Sequence, residues 1–191
     1  SIGSYAVIPS NITTGPYTAG TFFFKNSMNT WVEIGSREWK KSIPVAKSGG
    51  GNIVSGSFSI TTNDAGVTHN ITVNSGATLD DIKNSINGLG DSNLGADVIS
   101  GKLNIYYSGL SQDTYLLFTD GVGTPLAQLG GIPTGTPVYA PDVSIGTSAN
   151  MPLWSASQQY PHPTGSVWIK TSIAGSGMNV IISKYNKRSE E

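Results

Sequence analysis

Apolar and polar residues alternate along several short stretches of this chain, which is the pattern of half-buried β-strands. In Lys102–Tyr107 every second residue is large and apolar or aromatic. This stretch follows residues 96–99 (ADVI) after the serine-glycine pair at positions 100–101. A two-residue turn of this type between two β-rich runs predicts a β-hairpin with one buried face.

Other β-rich runs lie on both sides of this hairpin. Residues 21–25 (TFFFK) and 29–34 (NTWVEI) flank a short polar turn and predict a second hairpin. Residues 115–119 (YLLFT) predict a further strand, and residues 166–171 (SVWIKT) and 179–184 (NVIISK) predict a last β pair. Most of the chain is therefore expected to form strands.

One helix interrupts the strands, and the sequence indicates both of its ends. Thr78 stands at the N-cap position, and Asp81 three residues later completes a capping-box pattern. Gly88 follows the last helical turn, where a left-handed residue is favoured. Spacings of three and four residues place an apolar stripe on this helix, formed by Leu79, Ile82 and Ile86.

These elements predict a mainly β fold of the α+β class, built from small β-rich domains. We expect three segments: an N-terminal hairpin segment over residues 1–47, a strand–strand–helix–strand–strand module over 48–132, and residues 133–191. The last segment is predicted to be a Pro/Gly-rich connector followed by a C-terminal β pair. Residues 48–52 (SGGGN) are expected to form a flexible joint.

Composition excludes several classes of partner and site. The chain has 191 residues, only 12% of them charged, and a formal net charge of −1. We therefore expect no nucleic-acid partner, since there is no basic field to hold phosphate. There is no cysteine, which excludes disulfides and thiolate sites. No apolar run reaches the length of a membrane span, so no membrane insertion is expected.

Catalytic patterns are also missing from the sequence. His69 and His162 have no ligand partner at metal-binding spacing, and the glycine-flanked Ser176 does not fit the nucleophile elbow. Helix capping or turns account for the acidic residues that were candidates, such as Asp64 and Asp120. We predict no catalytic, cofactor-binding or metal-binding residue and no enzymatic activity. A polysaccharide-degrading enzyme stays open as a disfavoured alternative, because two carboxylates could still meet in space.

Aromatic residues are the remaining candidates for function. Phe22, Phe24, Trp31 and Trp39 are predicted to be core and hairpin-face residues. Exposed tryptophan and tyrosine could instead stack on carbohydrate, although both residues also fill β cores and interfaces. The candidates for packing between domains or subunits are Tyr139, Trp154, Tyr160 and Trp168.

The module around the helix resembles a known motif. Residues 71–87 (ITVNSGATLDDIKNSIN), the following 95–98 (GADV) and 101–105 (GKLNI), and the closing 126–132 (LAQLGGI) resemble the flagellin IN motif. That motif recurs in flagellins, hook-associated proteins and filament-cap proteins. The resemblance covers residues 58–132 and implies a β-rich insert exposed on a self-assembling filament, tube or sheath.

The flanking sequences do not resemble flagellin, whose ends are long heptad-patterned helices. Residues 23–44 and 161–171 are similar to segments of structural proteins from tailed bacteriophages. The resemblance implies a non-catalytic structural module of a virion tail protein, such as a contractile tail sheath. Its expected partners are copies of itself or other virion proteins. The alternative is an adhesin domain on a phage or bacterial surface that binds receptor or host-surface glycan.

Overall fold

The computed structural model describes residues 1–9, 15–109, 114–146, 163, 165–171 and 180–184. These residues form thirteen β-strands in four sheets and three short helices, which confirms the mainly β, α+β fold class. The strands are β1 (Tyr5–Val7), β2 (Phe22–Lys25), β3 (Trp31–Glu33), β4 (Ala46–Lys47), β5 (Gly56–Thr62), β6 (Val67–Val73), β7 (Leu94–Ile99), β8 (Lys102–Tyr107), β9 (Tyr115–Asp120), β10 (Pro137–Tyr139), β11 (Val143–Gly146), β12 (Val167–Thr171) and β13 (Val180–Lys184). The helices are α1 (Arg37–Lys40), α2 (Leu79–Asn87) and α3 (Pro125–Leu129).

The chain divides into two compact units. The first unit combines Ser1–Trp39 with Pro141–Glu191, and the second unit is the continuous stretch Lys40–Ala140. The second unit is thus an insertion in the sequence of the first. Its bounds differ from the predicted module over 48–132, because β4 pairs with β8 and β10 pairs with β9. Those two long-range pairings join the ends of the stretch to its centre.

The first unit contains two three-stranded sheets, in the orders β1-β2-β3 and β11-β12-β13. The predicted β2–β3 hairpin is confirmed, and its turn is held by the Asn26 side chain, which accepts hydrogen bonds from the backbone of Met28 and Thr30. The predicted antiparallel β12–β13 pair is also confirmed. Strand β11 pairs parallel to β12, although the sequence placed it in the connector.

The second unit contains a four-stranded sheet, in the order β10-β9-β5-β6, and a three-stranded sheet, in the order β4-β8-β7. The predicted β7–β8 hairpin is confirmed, and its turn residues Ser100 and Gly101 have φ angles of 52° and 70°. Two successive positive φ angles match the twist of a two-residue hairpin turn. Both sheets and both helices α2 and α3 contribute to one core, whose fully buried members include Ile60, Leu103, Ile105, Phe118 and Leu126.

Helix α2 is capped as predicted. The Thr78 hydroxyl accepts a hydrogen bond from the Asp81 backbone at 3.2 Å, and the Asp81 carboxylate accepts one from the Thr78 backbone at 2.8 Å. Ile82 and Ile86 of the apolar stripe are buried in the core. The left-handed conformation expected at Gly88 is wrong: its φ is −79°, and the chain continues in a right-handed turn as far as Gly90, whose φ is 78°.

The glycine run at 48–52 is not a free joint. The backbone of Gly49 donates to the Gly130 carbonyl at 2.7 Å, and that of Gly51 donates to the Leu129 carbonyl at 3.1 Å. A Cβ atom on Gly51 would lie 1.9 Å from the Gln128 carbonyl oxygen. Glycine is therefore required here because two backbone segments approach closely.

Helix α3 was not predicted, because its capping side chain does not stand at the N-cap position. Thr124 at the N-cap position makes no side-chain cap and has a φ of 45°. The Asp120 carboxylate instead accepts hydrogen bonds at 2.8 Å from the backbone of both Leu126 and Ala127. The turn interpretation of Asp120 was thus incomplete, since this residue ends β9 and caps α3.

Candidate functional site

Large apolar side chains are exposed in a concentrated region around the β1-β2-β3 sheet. Ten such side chains are exposed in the described part of the chain, and five of them lie within the first 31 residues. We call these five residues the hairpin surface: Ile2, Tyr5, Tyr17, Met28 and Trp31. Cross-strand alternation places Tyr5 on one face of this sheet and Trp31 on the opposite face, so the five residues are exposed around the hairpin and do not form one continuous patch.

The cross-strand register explains how this sheet supports aromatic residues on both faces. Tyr5 lies directly opposite Phe24, and their ring centroids are 5.4 Å apart. On the other face, the ring of Tyr17 packs edge-on against Phe23 at 4.8 Å. Phe23 is buried, whereas 48% of Tyr17 remains exposed. Aromatic rings held by such contacts are stiff, so they lose little entropy on binding.

Trp31 is the one tryptophan among the five residues of the hairpin surface. It lies opposite Lys25, whose Nζ is 5.4 Å from the ring centroid, close enough for a cation–π contact. The side chain is 45% exposed. Trp31 is therefore a hairpin-face residue and not a core residue, whereas the equally predicted Phe22 and Trp39 are buried.

The structure places two of the four predicted packing residues. Tyr139 is half-buried and packs edge-on against Tyr115, its cross-strand partner, at 5.3 Å. Trp168 is the second residue of β12 and is only 5% exposed, so little of its ring is left for a neighbouring subunit. Tyr139 and Trp168 belong to different units. Trp154 and Tyr160 lie outside the described residues.

Among the described residues, the group that most resembles an active site is a polar cluster at one end of the second unit. The Tyr107 phenol donates a hydrogen bond to the carboxylate of Asp64, and burial together with this bond raises the pKa of Tyr107. His69 Nε2 lies 3.2 Å from an Asp91 carboxylate oxygen. The Lys40 ammonium is buried and donates to the Gly109 carbonyl at 2.5 Å.

Each contact of this polar cluster joins two segments that are far apart in sequence. Tyr107–Asp64 joins the end of β8 to the turn after β5, and His69–Asp91 joins β6 to the loop before β7. These residues therefore hold the ends of the two sheets together. Within the described ranges, no three His, Asp or Glu side chains come together as a group that could hold a metal ion. The described helices are also too short or too polar to cross a bilayer.

A second exposed surface covers the outer face of the four-stranded sheet, and sequence reasoning missed it. Residues 58, 60, 71 and 73 of β5 and β6 point into the core, so the residues between them point outward. All of those outward residues carry a neutral hydroxyl or amide. The sequence signal for this surface was the serine or threonine at every second position of residues 57–61, followed by Thr68, Asn70 and Thr72.

No protein-family model, curated protein or solved structure significantly matches this chain. The resemblance to the flagellin IN motif and to tailed-phage structural proteins stays a prediction from the sequence.

Proposed function

We propose that this chain is a non-catalytic structural module of a bacteriophage virion, exposed on the surface of a tail protein such as a contractile sheath. The observation that supports this proposal best is the hairpin surface. Five large apolar side chains are exposed within 31 residues, supported by rings that pack on the same sheet. In a helical assembly, exposed apolar side chains pack against a neighbouring copy or another virion protein.

The order of the two units along the sequence also supports a module that is inserted into another domain and exposed on the assembly surface. The residues that resemble the flagellin IN motif, 58–132, all lie within the second unit. That unit is one continuous stretch with its own core, which includes helix α2 and both sheets. A continuous unit can be carried as an insertion without supplying strands to its host unit.

Electron microscopy of the full-length protein tests this proposal. We expect regular tubes or rings, and we expect peptides of the chain in the mass spectrum of purified virions. Replacing the exposed pair with charge, as Met28→Lys with Trp31→Lys, should reduce assembly. Val122→Lys is the matched control, since Val122 is 81% exposed in the other unit. A protein that stays monodisperse and is missing from virions would contradict the proposal.

A glycan-binding adhesin domain is the second candidate, and Trp31 is the observation that favours it. A half-exposed indole beside a lysine offers a stacking surface and a hydrogen-bond donor, as sugar binding requires. A glycan array with the natural chain, Trp31→Ala and Trp154→Ala tests this function. Binding that Trp31→Ala abolishes would support the adhesin. An array without binding, or binding that neither variant changes, would remove this candidate.

A further inference from the structure

We propose that the outer face of the four-stranded sheet in the second unit binds a neutral polysaccharide. The hydroxyl- and amide-bearing residues of this face, here called the hydroxyl face, are Ser57, Ser59, Thr61, Thr68, Asn70, Thr72 and Thr119; Leu117 and Pro137 also point outward on β9 and β10. This site lies in a different unit from Trp31. It does not rest on the proposed virion function.

The register of three adjacent strands arranges the hydroxyl face in rows. On β5 and β6, Ser57 lies opposite Thr72, and Thr61 lies opposite Thr68. The central row carries three hydrogen-bonding side chains, because Ser59 lies opposite both Asn70 of β6 and Thr119 of β9. The row of Thr61 and Thr68 continues instead into the apolar Leu117 and Pro137. Rows in a sheet are about 4.8 Å apart from strand to strand and about 7 Å apart along a strand. Hydrogen-bonding groups thus recur at short regular intervals, as the hydroxyls of a polymer of sugars do.

Most of these groups have unused hydrogen-bonding capacity. Among the described residues, the only side-chain bond between members of the face joins the hydroxyls of Thr61 and Thr68 at 2.9 Å. Asn70, Thr72 and Thr119 are exposed and have no side-chain hydrogen bond to the described part of the chain. Each hydroxyl or amide can both donate and accept. Sugar hydroxyls have the same dual capacity, so either partner can adapt to the other.

The absence of charge on this face selects a neutral ligand. No outward position of β5, β6, β9 or β10 carries an acidic or basic side chain; the carboxylate of Asp120 is engaged by α3. A charged polymer would lose hydration here without gaining an opposite charge. A neutral polysaccharide exchanges its water for protein hydrogen bonds at little cost.

An aromatic pair lies at one end of the hydroxyl face. Tyr115 and Tyr139 point outward, because the adjacent residues on their strands, Leu116 and Val138, face the core. Their rings are half-buried and support one another edge-on. A tyrosine edge or face can pack against the C–H groups of a sugar ring, while its hydroxyl remains in water. Strand β6 is an edge of the sheet, so the hydroxyl face extends to that edge.

Native affinity electrophoresis of the chain in gels cast with dextran, mannan or soluble β-glucan tests the proposal. At least one neutral polysaccharide should retard migration. Asn70→Lys, or Thr72→Val with Thr119→Val, should weaken that retardation by about tenfold, since two or more hydrogen bonds are lost. Asn84→Lys on helix α2 is the matched charge control and should bind as the natural chain does. Amide NMR shifts induced by the same polysaccharide should map to β5 and β6.

Three results would overturn the inference. The first is migration that none of the neutral polysaccharides changes. The second is equal retardation by the anionic polymer alginate. The third is retardation that Trp31→Ala abolishes and Asn70→Lys does not, which would assign glycan binding to the hairpin surface instead.

Discussion

Tyr107 is fully buried and donates a hydrogen bond from its phenol to the carboxylate of Asp64, 43 residues away in the sequence. This bond connects the last residue of β8 to the turn after β5, so it joins one sheet of the second unit to the other. The same residue is the cross-strand partner of Leu94 and part of the core.

Removing the phenolic hydroxyl should therefore destabilise the second unit. We expect Tyr107→Phe to lower the free energy of unfolding by about 1–2 kcal/mol, because a side-chain hydrogen bond to a charged acceptor is lost while the packing stays. Urea denaturation measures the change. Tyr106→Phe is the matched control, since Tyr106 points away from the core on the same strand. Equal destabilisation by both variants would contradict a specific role for the Asp64 bond.

The same bond predicts a dependence of stability on alkaline pH. Burial, and then the hydrogen bond to Asp64, raise the pKa of Tyr107, so the folded state keeps the phenol neutral. An unfolded tyrosine ionises near pH 10. The contribution of Tyr107 is thus fully present below about pH 10 and decreases as the pH rises further. The difference in unfolding free energy between the natural chain and Tyr107→Phe should shrink between about pH 10 and 11. A difference that stays constant over this range would argue against a raised pKa of Tyr107.

The capping box of helix α2 should contribute to stability through its threonine. Thr78→Ala removes the acceptor for the Asp81 backbone and should cost about 1 kcal/mol, whereas Thr78→Ser should cost much less. Hydrogen bonds from the backbone and side chain of Thr78 lower the pKa of Asp81. The cap should therefore act above the usual carboxyl pKa and weaken as the pH falls below it. Thermal unfolding at neutral and acidic pH checks both expectations.

Two neighbouring glycines should respond in opposite ways to alanine. Gly51→Ala should destabilise the second unit by more than about 1 kcal/mol, because the new Cβ would lie 1.9 Å from the Gln128 carbonyl oxygen. No atom lies within 4 Å of the position where Gly50→Ala would add its Cβ. That variant should be neutral or slightly stabilising, since it reduces the freedom of the unfolded chain. Equal melting temperatures for the two variants would contradict the close approach.

Elements specified by neighbouring residues could be predicted from the sequence. The α2 cap needs only Thr78 and Asp81, and the β7–β8 hairpin needs only its two turn residues and the alternation beside them. Pairings over long distances could not be predicted in the same way. Strand β11 has too short an apolar pattern to be recognised without β12, its parallel partner. Helix α3 depends on Asp120, which precedes it by five residues.

The candidate surfaces were harder to predict than the fold. Alternation shows that Trp31 and Val32 point to opposite faces, but it does not show which face of a small sheet is covered. The exposure of Trp31 could therefore not be predicted, because its β propensity and hydrophobicity also suited it to a core position. Six members of the hydroxyl face follow from alternation once β5 and β6 pair as a hairpin, whereas Thr119 joins them only through the pairing of β5 with β9, which is distant in sequence.

The division of the chain has a consequence for the order of events during synthesis. Residues 1–39 leave the ribosome first. Val143, whose side chain lies beside Gly35 in the same unit, follows about a hundred residues later. The intervening unit can fold as soon as its last strand, β10, has emerged. Its folding replaces a long free loop by a compact body, which lowers the entropy cost of closing the first unit. Nascent chains should thus acquire protease resistance in Lys40–Ala140 before they acquire it at either end.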